Sequence, residues 1–211
     1  MASFSLSEQQ RAVREYAATH AKEILGTAFD NYNKLGDQVT RFRATRPFYE
    51  KLIRAGFLKS MIPESSGGSS KSFFDTGLIV EELYAVNSSV NMQLMGTALG
   101  LIPIILGGTE EQKDRWLKPF LTCEGDSLAG LAHSEPGGTA NYLEKGGKGL
   151  GVTARKEGDF YVVNGEKVSP LQILGGESAD PTSVALDNQQ WWLGFQGCDS
   201  LLSLRSLFRG W

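Results

Sequence analysis

Cysteine and histidine are scarce in this chain of 211 residues, which contains two of each. Two cysteines, Cys123 and Cys198, cannot form a disulfide framework, and they cannot complete a zinc site without several further ligands. We therefore expect a protein of a reducing compartment, with a cytoplasmic location and no metal site.

An excess of charge of one sign is also lacking. Lys and Arg number 21 against 24 Asp and Glu, and the resulting net charge of −3 creates no general field that attracts phosphate backbones. The first ten residues, MASFSLSEQQ, lack the basic start and apolar run of a secretory signal. The longest apolar stretch, residues 90–106, contains Asn91, Gln93 and Thr97, which makes it too polar for a lone membrane span. These absences exclude nucleic acid and membrane as expected partners.

Helical signals dominate the first 125 residues. Ser7 with Gln10, and Thr109 with Gln112, have the spacing of a capping box, in which two side chains satisfy the free amides at a helix start. Between them, Thr45 before Arg46 and Pro47 predicts the start of a shorter helix that ends at Gly56. Residues 63–70 are rich in Ser and Gly and predict an exposed loop. An amphipathic helix is expected from Phe74 onward, and residues 88–106 are expected to form the central buried helix.

Beyond Gly125 the pattern favours strands. Residues 127–132 are a short strand candidate, and residues 152–168 predict a meander whose second turn is Asn164-Gly165, because Asn-Gly is a strong hairpin signal. The predicted fold class is therefore α+β, with an all-helical domain followed by a partial β domain.

The last 44 residues differ in composition from the rest. They contain six charged residues, against 39 in the preceding 167, and three of the four tryptophans. We expect this segment to supply the β domain with strands poorly or not at all. The predicted domains are thus a helical domain over 1–125, a partial β domain over 126–170 and a divergent tail over 171–211.

The chemistry-bearing residues are concentrated in residues 133–141, HSEPGGTAN. Glycines here allow close approach of a ligand, and Ser and Thr hydroxyls can donate hydrogen bonds to ring carbonyls or phosphate oxygens. The alternative interpretation is a proline-glycine turn that joins two elements, with Ser134 and Thr139 capping the local backbone.

Several motifs resemble the acyl-CoA dehydrogenase family. Residues 131–141 (LAHSEPGGTAN), followed by TAR at 153–155 and VNGEK at 163–167, resemble the flavin-binding stretch of that family. Residues 41–49 (RFRATRPFY) and 97–101 (TALGL) are similar to its fungal nitroalkane-oxidase-like branch. The resemblance covers residues 4–170.

The resemblance implies a helical domain, a middle β domain and a C-terminal four-helix domain, with FAD held between the last two and by a neighbouring subunit of a homo-oligomer. It implies that Ser134 donates to the flavin ring. The residues expected along the ring are Leu131, Ala132, His133 and Ser134, those near the pyrophosphate are Thr139, Ala140 and Asn141, and Ser169 lies on the strand that flanks the ring. Ser169 stands where the family usually has an aromatic residue. For His133, an acid–base role and a packing role both remain open.

The implied function is an FAD-dependent oxidoreductase acting on the CH–CH bond of an acyl thioester, in fungal secondary (toxin) metabolism. A nitroalkane oxidase-like flavoenzyme and a truncated, non-catalytic remnant are the alternatives. The family's catalytic carboxylate lies in the four-helix domain, which we expect this chain to lack. We therefore predict no catalytic residue here, and interpret the tail after Pro170 as a frame shift, an unspliced intron or a truncated gene copy.

Overall fold

The computed structural model describes residues 5–131, 133–136, 143–147, 149–157, 160–168, 186–187, 190–191 and 201–209. The chain divides into two compact units, Met1–Leu128 and Ala129–Trp211. The first unit is built of helices and the described elements of the second are strands, which confirms the α+β class.

Five of the six α-helices described in the first unit begin at a side-chain cap. The six are α1 (Glu8–Leu25), α2 (Ala28–Tyr32), α3 (Gln38–Arg54), α4 (Phe73–Val86), α5 (Ser88–Gly107) and α6 (Glu110–Leu121), and α2 is the exception. Both predicted capping boxes are confirmed: the Ser7 hydroxyl accepts from the Gln10 amide at 3.1 Å, and Thr109 and Gln112 repeat the arrangement at α6. Each box satisfies two amides that have no partner within the helix.

The predicted start of α3 at Thr45 is wrong, because the helix begins seven residues earlier at Gln38. Asp37 caps the helix by accepting a hydrogen bond from the Thr40 amide at 2.9 Å. Hydrogen bonds from the side chain and from the amide of Thr40 lower the pKa of the Asp37 carboxyl. The Thr45 hydroxyl instead donates to the Phe42 carbonyl inside the helix. Pro47 is accommodated within α3, at the loss of one backbone hydrogen bond.

Helix α5 is the centre of the helical unit, although it is buried on one face only. It packs against α3, α4 and α6, and Val90 and Leu94 are fully buried. Its opposite face exposes Met92, Ile102 and Leu106, so the predicted central helix is buried on one face and exposed on the other. Among the described residues α5 is also the one helix long and apolar enough to cross a membrane, and 56% of its most apolar window is buried within the protein.

The Ser- and Gly-rich loop over 63–70 is more tightly packed than predicted. A 3-10 turn forms at Glu64–Ser66, and the Ser70 amide donates to the Ile62 carbonyl at 2.9 Å. A Cβ atom on Gly68 would lie 1.9 Å from the Ile62 oxygen. The loop is exposed at Glu64, Ser65, Gly67 and Ser69, as predicted, and its backbone is folded back on the buried Ile62.

The second unit contains an antiparallel sheet in the order β1-β2-β5, formed by Thr153–Glu157, Phe160–Val168 and Leu201–Arg209. A separate pair consists of β3 (Leu186–Asp187) and β4 (Gln190–Trp191). The tail thus supplies a nine-residue strand that pairs along all of β2, contrary to the expectation that it would contribute little.

Two strand predictions in this unit are wrong. Residues 127–130 form no strand, and Leu131 makes only a single bridge. Asn164-Gly165 is no turn but part of β2, with Asn164 opposite Thr153. Glycine is needed at 165 because its φ is +145° and because a Cβ there would lie 2.6 Å from Val152 Cγ2. Close approach of two strands, rather than a hairpin, explains this glycine.

Candidate functional site

The predicted ligand-contacting residues are described only in part. Leu131, His133 and Ser134 lie in one irregular stretch of the second unit, and all three are half-buried. The other predicted contacts, namely Ala132, Thr139, Ala140, Asn141 and Ser169, lie outside the described residues. The structure therefore brings together three of the eight predicted residues, and the rest stay predictions.

Ser134 has the properties of a donor to an external group. Its side chain is half-buried, and its hydroxyl has no hydrogen-bond partner among the described residues. A hydroxyl in this state can donate to an oxygen or nitrogen of a bound molecule without first breaking a hydrogen bond to the described part of the chain. His133, by contrast, already interacts with another group of the protein.

Glu135 is a buried carboxylate directly after these residues, with 7% of its surface exposed. One of its oxygens accepts from the Val152 amide at 3.1 Å, and the other accepts from the Gly151 amide. The sequence interpretation included Glu135 in its motif but assigned it no role. A signal was present, because an acidic residue in an apolar and glycine-rich segment needs donors, and backbone amides near glycine are the most accessible ones.

The two amides that bind Glu135 belong to the start of the sheet. Gly151 and Val152 directly precede β1, and Val152 is 5% exposed. On the paired strand β2, Val163 is 2% exposed, and Gly165 leaves the space that the Val152 side chain occupies. The Glu135 carboxylate therefore accepts hydrogen bonds from two amides that directly precede β1, next to the β1–β2 pairing.

A second polar cluster lies in the helical unit. It joins two motifs noted in the sequence, residues 41–49 and residues 97–101. Tyr49 of α3 is fully buried, and its hydroxyl donates to the Ser127 carbonyl at 2.8 Å. The same hydroxyl lies 3.1 Å from the hydroxyl of Thr97 on α5. Burial raises the pKa of Tyr49 well above its usual range, so the phenol remains a neutral donor. The motifs at 41–49 and 97–101 thus meet at this hydrogen bond.

Arg46, one helical turn before Tyr49, forms an ion pair with Asp126. Since Asp126 and Ser127 are neighbours, two side chains of α3 hold the same short segment at the end of the helical unit. Both partners of the ion pair are partly solvent-exposed, which reduces its contribution to stability. The ion pair and the hydrogen bond fix the backbone of Asp126 and Ser127 to α3. The charges of Arg46 and Asp126 are paired with each other in this arrangement.

Asn91 on α5 has a buried side-chain amide that makes no hydrogen bond to the described residues. It is 0% exposed, and neither atom of its amide group has a hydrogen-bond partner among the described residues. By contrast, nearby Gln93 donates its Nε2 to the Thr45 hydroxyl, although its own oxygen is also unpaired. Burying a polar group without a partner costs stability.

We predict that Asn91→Leu raises the free energy of unfolding by about 1–2 kcal/mol, because it removes two buried polar atoms that are unpaired within the described residues while keeping the branching of the side chain. Urea denaturation followed by circular dichroism at the helical band measures this. Gln93→Leu is the matched control and should lower stability by about 1 kcal/mol, because it removes the bond to Thr45. A loss of stability in Asn91→Leu would indicate that an internal water or another polar group satisfies the amide.

The described residues offer hydrogen-bond donors and a shaped backbone rather than a metal centre. Within the part of the chain that the structure describes, no group of three or more His, Cys, Asp or Glu side chains is arranged to hold a metal ion. What the stretch 131–135 provides is a half-exposed backbone, an available hydroxyl and a buried carboxylate that fixes both. Such an arrangement suits a polar ligand that accepts a hydrogen bond.

Comparisons with known proteins show which family the chain belongs to. The model of the acyl-CoA dehydrogenase N-terminal domain matches residues 7–124. Nitroalkane oxidase of Fusarium oxysporum is 44% identical over 175 residues, which are 83% of this chain and 40% of that protein. A solved active-site variant of nitroalkane oxidase, crystallised with 1-nitrooctane, has a TM-score of 0.75 at 44% identity, over 80% of this chain and 39% of that one.

A more distant solved structure, acyl-CoA dehydrogenase of Bacillus anthracis complexed with FAD, has a TM-score of 0.62 at 25% identity, over 81% of this chain and 28% of that one. The chain spans about two fifths of the length of the nitroalkane oxidases that it matches.

Proposed function

Because the chain belongs to the acyl-CoA dehydrogenase family, we propose that it is the helical and flavin-contacting part of an FAD-dependent oxidoreductase. The observation that carries this proposal is the stretch 131–135, where the half-buried Ser134 has an available hydroxyl and Glu135 fixes the backbone. A relative with the same fold is known in complex with FAD.

The described residues fit such a group. Leu131 and His133 would lie along the flavin ring, and the Ser134 hydroxyl would donate a hydrogen bond to it. Bound FAD would supply the oxidising power by accepting an electron pair from the substrate. The protein would contribute orientation and hydrogen bonds, and contacts of Thr139, Ala140 and Asn141 with the pyrophosphate stay part of the proposal.

The substrate we propose is a small molecule with an acidified C–H bond. The 44% identity to nitroalkane oxidase favours a nitroalkane, and the more distant similarity to an acyl-CoA dehydrogenase, at 25% identity, makes the CH–CH bond of an acyl thioester the second candidate. Both reactions require a base that removes a proton next to an electron-withdrawing group. Glu135 is unsuited to that role, because both of its oxygens accept hydrogen bonds from backbone amides. We therefore assign no catalytic base within the described residues.

We predict that the purified chain binds FAD and absorbs at about 450 nm, as protein-bound oxidised flavin does. Titration of the flavin-free protein with FAD, followed by flavin fluorescence, measures the dissociation constant. Ser134→Ala should raise that constant about threefold to tenfold, because it removes one hydrogen bond.

The competing function is a non-catalytic remnant of the family. A folded, colourless protein that takes up no FAD on reconstitution would favour this alternative and contradict flavin binding. Where flavin is bound, turnover of nitroethane against a panel of acyl-CoA thioesters separates the two proposed substrate classes. Activity on neither class, with flavin bound, would restrict the proposal to cofactor binding.

A further inference from the structure

Glu135 is the one charged side chain in the buried class among the described residues. A carboxylate held away from water loses favourable hydration, so it is retained only where strong hydrogen bonds replace that hydration. Two consecutive backbone amides do so here, one on each oxygen. The contact spans 16 and 17 positions along the chain, so local turn formation does not explain it.

We propose that Glu135 is a positioning residue for the flavin. By accepting from the amides of Gly151 and Val152, it fixes the backbone of 133–135 to the start of β1 and thereby sets the direction of the Ser134 hydroxyl. This inference rests on the proposed FAD binding and extends it to a residue that does not itself need to contact the cofactor.

The geometry around the amides supports a tight and specific contact. A Cβ on Gly151 would lie 3.2 Å from Glu135 Oε2, so a larger residue at 151 would press on the carboxylate. On the other side, Val152 is held by its packing beneath Gly165 on β2. The carboxylate therefore binds two amides whose positions the sheet determines, and it transmits that order to its neighbour Ser134.

Charge and the number of acceptors both matter for this role. Two N–H groups need two acceptor oxygens, and a carboxylate has them, whereas the amide of glutamine has one oxygen and one NH2 group. In Glu135→Gln, one backbone N–H would face a donor and the local backbone would move. Bonds to a charged acceptor are also stronger than bonds between neutral groups. Glu135→Gln replaces one carboxylate oxygen by an NH2 group. It thus removes one of the two hydrogen bonds without creating a cavity.

The test uses the full chain with FAD as the probe. Glu135→Gln is compared with the wild type and with Glu144→Gln, which changes an exposed carboxylate of the same unit outside the flavin-binding motifs. We expect Glu135→Gln to raise the FAD dissociation constant about tenfold and, at saturating FAD, to alter the visible circular dichroism of the flavin. Hydrogen exchange of the Gly151 and Val152 amides should accelerate in the same variant, while Glu144→Gln leaves all three measurements unchanged.

The outcomes separate this inference from the proposed function. If the wild type binds FAD and Glu135→Gln binds it within twofold, with the same flavin spectrum, the positioning role is overturned and flavin binding stands. If the wild type binds no FAD, both proposals are overturned. Should Glu135→Gln not fold, Gly151→Ala tests the same contact from the opposite side. A threefold weaker FAD affinity there would support the role, and an unchanged affinity and spectrum would reject it.

Discussion

Leu94→Ala is expected to lower the free energy of unfolding by about 3 kcal/mol, which is typical of removing a large side chain from a packed core. Leu94 is 0% exposed and belongs to the main hydrophobic cluster, together with Val90 of the same helix and residues of α1, α3 and α4. The surrounding helices can close the resulting cavity only in part, so the loss includes both transfer and cavity contributions. Urea denaturation at the helical circular dichroism band measures it.

Leu106→Ala is the matched control on the same helix. Leu106 is 81% exposed, and its truncation should change stability by less than about 0.5 kcal/mol. The two variants also test whether α5 is a core helix or a membrane-spanning helix. The stability of a core helix depends on the residues of its buried face, whereas that of a membrane-spanning helix would depend on its lipid-facing residues. Equal effects of the two variants would contradict the central position of α5 in a helical core.

Gly68→Ala is expected to destabilise the helical unit by about 3 kcal/mol, because the added methyl group has no room. It would lie 1.9 Å from the Ile62 oxygen and 2.4 Å from the Ile62 carbonyl carbon, both backbone atoms that cannot move by a rotamer change. The loop over 63–70 must therefore detach from Ile62 or shift as a whole. Thermal or urea unfolding measures the effect.

Gly77→Ala makes the same chemical change where there is space. Gly77 lies inside α4, and apart from its own helical backbone and chain neighbours no described atom lies within 4 Å of an added Cβ, so alanine should stabilise the helix by about 0.5–1 kcal/mol. Opposite signs for the two variants would show that packing decides the outcome. A neutral Gly68→Ala would contradict the close packing of the loop against Ile62.

The parts of the fold that depend on neighbours in sequence could be predicted from sequence. The capping boxes of α1 and α6 involve residues three apart, and both form as their spacing predicts. The start of α3 was missed because two local signals compete. Asp37 and Thr45 can each cap a helix. The helix begins after Asp37, and Thr45, which therefore lies inside it, donates its hydroxyl to the Phe42 carbonyl.

The errors in the second unit have a different cause. Asn164-Gly165 has the composition of a hairpin turn, but the paired strand brings Val152 so close that only glycine fits within β2. Likewise, the importance of Glu135 comes from amides 16 and 17 positions away. Contacts of this kind depend on strand register, which local sequence patterns do not determine.

The hydrogen bond from Tyr49 to the Ser127 carbonyl has a consequence for how this segment tolerates change. Every residue has a carbonyl, so the bond imposes no demand on the chemical identity of position 127, whereas position 49 must keep a phenol. At position 127 the hydrogen bond depends instead on the number of residues in the segment, which must place the carbonyl opposite Tyr49. Inserting a single residue between Asp126 and Ser127 would disturb the ion pair or the hydrogen bond, because both are formed with helix α3.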